Sequence, residues 1–200
     1  MQPVMPRPTL VMLAGPNGSG KSTLYDTRIA PKFAVPFVNA DIIQRDELQS
    51  IDVQAAYQAA QIAADRRAEL LNAGKSFVTE TVFSHRSKLD LITTAKSLNY
   101  RIMTFHMSVD DPDLSVARVG ERVKEGGHPV PEMKIRDRYN RSGPLIREAI
   151  LKSDIGHVFD NSHLNAPPCR MLTFNDGKVR FVFPQLPNWV LKLYGADLAI

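Results

Sequence analysis

The run Gly15-Pro16-Asn17-Gly18-Ser19-Gly20-Lys21-Ser22 is a complete G-x-x-x-x-G-K-S, and Thr23 follows it. A loop of this composition can wrap its backbone N–H groups around phosphate oxygens, and a Cβ at Gly15 or Gly20 would obstruct that wrapping. Lys21 then supplies a mobile cation to β- and γ-phosphates, which makes it a catalytic as well as a binding residue, and the Ser22 hydroxyl can ligate Mg²⁺. A helix starting at Lys21 aims its positive end at the same anion. Residues Gly15 to Thr23 are therefore read as the site of a nucleoside triphosphate, ATP or GTP.

Other residues must choose among a kinase, a switch, a motor and a helicase. No Asn-Lys-x-Asp guanine-reading segment occurs, and no central strand expected here ends in a metal-binding Asp. Small kinases tolerate both absences. They commonly place a carboxylate at the end of the strand after the P-loop helix, where Asp41 stands in Val38-Asn39-Ala40-Asp41. Asp41 is a candidate to orient or deprotonate an acceptor hydroxyl, and equally a candidate helix N-cap. Glu80 closes an apolar stretch beside Thr79 and Thr81, at the strand end where parallel sheets bind ligands; a solvated strand-end charge is its other reading. Arg118 and Arg122 share a helix face and can neutralise charge on a transferred phosphoryl group, or pair with Asp113 or Glu121. Gly126, Gly127 and Pro129, followed by Arg136, Arg138 and Arg141, suggest a hinged lid over about 123–141 that excludes water from ATP. From a helix, only one or two of these arginines can face inward, and the spacing does not say which.

These residues need elements to hold them. Pro8 to Ala14 reads as a buried strand feeding the loop. Pro36 to Asp41, Ser76 to Phe83, Tyr100 to Val109 and His157 to Ser162 supply four more strands. Helical spacing marks Asp52 to Ala73, Arg86 to Leu98, Asp113 to Glu125 and Glu132 to about Lys152. Alternating strands and helices imply an α/β fold, a P-loop NTPase of nucleoside-monophosphate-kinase type with a five-stranded parallel core and helices on both faces. Asn175-Asp176-Gly177 marks a C-terminal β-hairpin, with a last helix near Trp189 to Leu198, so that about 169–198 is the C-terminal hairpin and helix of a single kinase domain spanning 1–200.

The whole composition agrees. Two hundred residues, 44% hydrophobic and 23% charged, with 11 Gly and 14 Pro, describe an ordinary globular chain rather than a disordered or fibrous one. The lone Cys169 forms no intramolecular disulfide and reads as a small buried hydrophobe. The apolar run Leu10 to Gly15 is too short for a membrane span or a signal-peptide core, so the cytoplasm is expected. A net charge of +4 is too small to argue for nucleic acid.

Several segments, in order, resemble the zeta toxin family of P-loop kinases. They are GPNGSGKST at 15–23, VNAD at 38–41, FVTET at 77–81, ARVGERVKEGGHPVP at 117–131, RDRYNRS at 136–142 and FDNS at 159–162. The P-loop is common to many NTPases, whereas GGHPVP with RYNRS is far more particular to the smaller bacterial members. Characterised members phosphorylate the sugar of UDP-N-acetylglucosamine. The resemblance thus implies Mg²⁺-ATP as donor and a nucleotide sugar as the hydroxyl-bearing substrate. It also implies substrate contact by Glu80 and Thr81, a place for Asn161 near the nucleotide, and a separate antitoxin as a possible partner, since no antitoxin-like three-helix segment lies in this chain. The same machinery acting on an antibiotic, a metabolite or a nucleic-acid end is the alternative. A nucleotide-dependent regulator without transfer is another.

Overall fold

The computed structural model describes residues 7–50, 52–124 and 129–198. β1 (Thr9–Ala14) is the axis of the molecule because its alternate side chains face two cores. Leu10, Met12 and Ala14 join one cluster, and Val11 and Leu13 join the other. Parallel β3 (Phe77–Thr81) and β4 (Arg101–Ser108) flank it, with Leu10 opposite both Phe77 and Ile102. β2 (Phe37–Val38) lies outside β3, and β5 (Ile155–Asp160) lies outside β4, also parallel. The hairpin of β6 (Cys169–Asn175) and β7 (Lys178–Val182) continues the sheet antiparallel from β5, giving seven strands in the order β2-β3-β1-β4-β5-β6-β7. The five parallel strands are those expected. The expected hairpin extends the same sheet. Asp176 and Gly177 both take positive φ at its tip, as a tight two-residue hairpin turn requires.

α3 (Val53–Asn72), α4 (Ser87–Ser97), α6 (Glu132–Lys152) and α7 (Asn188–Leu198) bury apolar side chains in the larger cluster. The P-loop helix α1 (Lys21–Leu24) and the chain after it cover the other face with Leu24, Ile29, Phe33 and Val35. α1 lasts four residues before widening into a π-helical turn at Tyr25–Ile29, where Tyr25 stacks on Phe37 at 3.7 Å between ring centroids. α2 (Ala40–Ile42) widens in the same way over Ile43–Leu48. Both expected helices exist, but neither continues as a regular α-helix. β2 is two residues long rather than six, because Asn39 leaves the strand to start α2.

α5 (Pro112–Lys124) and α6 pack together beside the P-loop. Of the hinge expected at Gly126, Gly127 and Pro129, the two glycines lie outside the described residues. No helix among the described residues is long and apolar enough to cross a membrane.

Candidate active site

The loop between β1 and α1 is built on contacts that only glycine permits. A Cβ on Gly15 would stand 2.0 Å from the Met107 carbonyl oxygen, and one on Gly20, at φ 90°, would stand 2.4 Å from Asn161 Nδ2. β4 and the end of β5 therefore press directly against the loop. Asn161 Nδ2 donates to the Ser19 carbonyl at 3.0 Å, while its own N–H donates to Ser108 O at 2.8 Å. The residue expected near the nucleotide thus braces the P-loop backbone from beneath.

Lys21 is buried and donates to the Pro16 carbonyl at 2.9 Å, with Glu80 Oε1 at 3.6 Å. Burial pushes its ammonium below the ordinary value, and the charges of Glu80 and Asp41 pull it back up. Ser22 Oγ donates to Glu80 Oε2 at 2.9 Å, and Asn39 Nδ2 donates to the same oxygen at 3.0 Å. Glu80 thus joins the P-loop lysine, the P-loop serine and the start of α2.

Asp41 is not the helix cap. Asn39 takes that position, its Oδ1 accepting the Asp41 N–H at 2.8 Å. The Asp41 carboxylate is left exposed in the first turn of α2, on a wall shared by two cavities. The smaller, of about 340 Å³, is lined by Gly18, Gly20, Lys21, Ser22, Arg118 and Arg122, among others. The larger, of about 690 Å³, runs between α3, the turn after β3 and the first half of α6. Asn17, Asp41, Glu80 and Val82 line both.

Arg118 and Arg122 share the face of α5 that looks into the smaller cavity. Of the two carboxylates offered as their partners in the sequence, Asp113 pairs with Arg136 and Glu121 with Lys124. Of the three arginines expected in the lid, Arg136 bridges Asp113 and Glu132, and Arg141 pairs with Asp137 on the helix surface. Arg138 reaches inward, donating to Asn17 Oδ1 of the P-loop at 3.3 Å. Thr81 lines the larger cavity, and its Oγ1 accepts the N–H of Phe83, a buried residue held at φ 61°. Thr81 thus shapes the cavity wall as well as facing the space.

Sequence reasoning singled out neither Asn39 as a partner of Glu80 nor the cations of the larger cavity, Arg67, Lys88 and Lys134. Asn39 lay inside the VNAD motif and could have been found there. It also missed His106, which is buried on β4, bonds Tyr194 of α7 at 2.7 Å and is pushed down to about 3 by burial and then by the charge of Lys21. Trp189 Nε1 donates to Asp160 Oδ1 at 2.8 Å, tying α7 to the end of β5.

The donors present suit a hard cation. The Ser22 hydroxyl and the Glu80 carboxylate are neighbouring oxygens at the mouth of a cradle that a Cβ would fill, and oxygen ligands are what Mg²⁺ takes.

The fold is an α/β domain with a P-loop between its first strand and first helix. The model of the AAA domain family matches residues 10–143, more than half of the chain, and the protein belongs to that family. No curated protein sequence matches. Among solved structures, the AvrRxo1-ORF1:-ORF2 complex with ATP superposes with a TM-score of 0.67 at 18% identity, covering 96% of this chain and 63% of that one. The chain therefore spans less than two thirds of that neighbour. The PezAT chromosomal toxin-antitoxin system of Streptococcus pneumoniae gives a TM-score of 0.61 at 15% identity, over 78% of this chain and 68% of that one. A candidate kinase from Chloroflexus aurantiacus gives 0.54 at 19%, over 68% and 80%. At such identities the likeness is one of fold.

Proposed function

We propose that this chain is an ATP-dependent kinase that transfers the γ-phosphoryl group to a hydroxyl of a small molecule. The observation that carries this reading is Asp41 on the wall common to the phosphate cavity and a second cavity large enough for an acceptor. The P-loop amides hold the phosphates, and Lys21, Arg118 and Arg122 offset the charge that develops on the transferred group. Magnesium, held by Ser22 with Glu80 beside it, supplies further neutralisation of the β- and γ-phosphate charge when bound. Asp41 orients the acceptor hydroxyl and takes its proton as the acceptor oxygen bonds to γ-phosphorus. The bond from that phosphorus to the β–γ bridging oxygen breaks, and ADP leaves. Arg138, steadied by Asn17, closes the α6 side of the site. Positioning and charge supply most of such a reaction, so no covalent intermediate on the protein is required.

The resemblance to zeta toxins supports UDP-N-acetylglucosamine or a related nucleotide sugar as acceptor. The likeness in fold to PezAT, named as a toxin-antitoxin system, supports a separate antitoxin as partner. A screen of ATP consumption over nucleotide sugars, small alcohols and oligonucleotide 5′ ends, with product masses measured, tests the reading. One acceptor gaining a phosphoryl group is the expected result. Release of ADP and free phosphate with no acceptor modified would reduce the protein to an NTPase.

A further inference from the structure

α3 turns the stripe Val53, Ala56, Tyr57, Ala60, Ala63 and Arg67 into the larger cavity. At 1.5 Å per residue this stripe runs roughly 21 Å, and its alanines leave the space open. Arg67 stands at its end, only 7% exposed, and makes no hydrogen bond or ion pair among the described residues. Burial pushes its guanidinium below the usual value, and no carboxylate offsets that. Lys88, in the first turn of α4, lines the same cavity and is lowered by burial and by the charge of Arg67. Two cations thus face one space and repel each other there.

Such an arrangement is costly, because buried charges are ordinarily paired. The carboxylates of the cavity do not relieve it. Asp41 and Glu80 lie on the wall shared with the phosphate cavity, whereas Arg67 and Lys88 line only the larger one. Asp52 is engaged as the cap of α3, its Oδ1 accepting the Ala55 N–H and its Oδ2 the Ser50 hydroxyl. The cavity therefore sets Asp41 and Glu80 on the wall it shares with the phosphate cavity, and Arg67 and Lys88 away from that wall. A guanidinium offers a planar fork of donors that matches two oxygens of a phosphate or carboxylate.

We infer that Arg67 and Lys88 form an oxyanion subsite, so that the acceptor carries a phosphate or carboxylate group remote from the hydroxyl that Asp41 addresses. The word acceptor rests on the kinase reading above; the subsite itself does not. An uncharged alcohol or sugar leaves both cations unpaired, while a phosphorylated or carboxylated one neutralises them. The cavity volume of about 690 Å³ admits a molecule holding both groups.

The test begins by filling the P-loop with Mg²⁺ and a fluorescent non-hydrolysable ATP analogue, whose signal reports any displacement. Inorganic phosphate, glucose 1-phosphate, glucuronate and glucose are then titrated calorimetrically. At least one anion is expected to bind without displacing the analogue, and glucose at least tenfold more weakly; phosphate against glucuronate tells which oxyanion is preferred. Arg67→Gln should weaken the bound anion at least tenfold, Arg67→Lys less, and analogue affinity should stay within twofold. Lys88→Gln, at a more exposed site, should weaken it severalfold and decides the matter if Arg67→Gln does not fold. The inference is overturned if no anion binds saturably, if glucose binds as well as its phosphate, or if the anions bind alike to parent and variants. Asp41→Asn separates the two readings, since it should abolish most transfer yet leave anion binding unchanged. If transfer persists in that variant while Arg67→Gln still loses the anion, the proposed base falls and the subsite stands.

Discussion

Asp41 keeps a usable carboxylate because Asn39, two residues earlier, takes the capping duty. Asp41→Asn should therefore cost under about 1 kcal/mol, the loss of one first-turn charge from a helix N-terminus. Transfer should fall by about 10² to 10⁴, with ATP affinity unchanged, as expected when a general base is removed and the phosphate cradle left intact. Rates with the acceptor in excess, beside equilibrium nucleotide binding, check both halves, and parental transfer would leave Asp41 without a catalytic part. The glycines and Lys21 were legible in the sequence because local spacing fixes them. The triangle of Ser22, Asn39 and Glu80 was not, since its members lie 41 and 58 residues from Glu80 and meet only through strand order.

At the scale of elements, the first half of α6 carries Arg136, Arg138 and Arg141, and the fold distinguishes them. Arg138→Ala should lower transfer about 10²-fold, while Arg136→Ala and Arg141→Ala, which break surface pairs, should change it less than about threefold. Equal losses in all three would refute the assignment. β4 and α7 yield a pH prediction through His106. Its folded pKa, about 3, lies below the ordinary value, so the unfolded chain binds the proton first and stability falls as pH drops through the window between them. From pH 7 to 5 this amounts to about 2 kcal/mol against an unfolded pKa of about 6.5. His157, also lowered by burial, adds in the same direction. Urea midpoints for the parent and His106→Gln should converge toward pH 5 if His106 is the source. The strand and helix order was readable from periodicity, whereas the π-helical widening after Leu24 and Ile42 has no sequence period of its own to reveal it.

At the scale of the whole molecule, the P-loop is where distant parts meet: Met107 of β4, Asn161 after β5, Ser115 of α5 and Arg138 of α6 all touch it. A ligand seated there should stabilise the chain as a unit. At about 100 times its dissociation constant, an Mg²⁺-ATP analogue should add about 2.7 kcal/mol, read as a raised Tm, and Lys21→Ala should lose most of that shift. A Tm indifferent to the analogue would argue that the loop does not hold nucleotide.

The hairpin has a consequence for how molecules meet one another. Without β6 and β7, β5 would be the outermost strand, and the backbone that leads into Asp160 and Asn161 would lie open to strand pairing with a second chain. The hairpin moves that sticky margin two strands outward, to β7, where Lys178 and Arg180 put positive charge along it and Arg170 lies over the Phe181 ring. The opposite margin, β2, offers only two residues. Crowding and self-association are thereby met at guarded rims, away from the strand that braces the nucleotide loop.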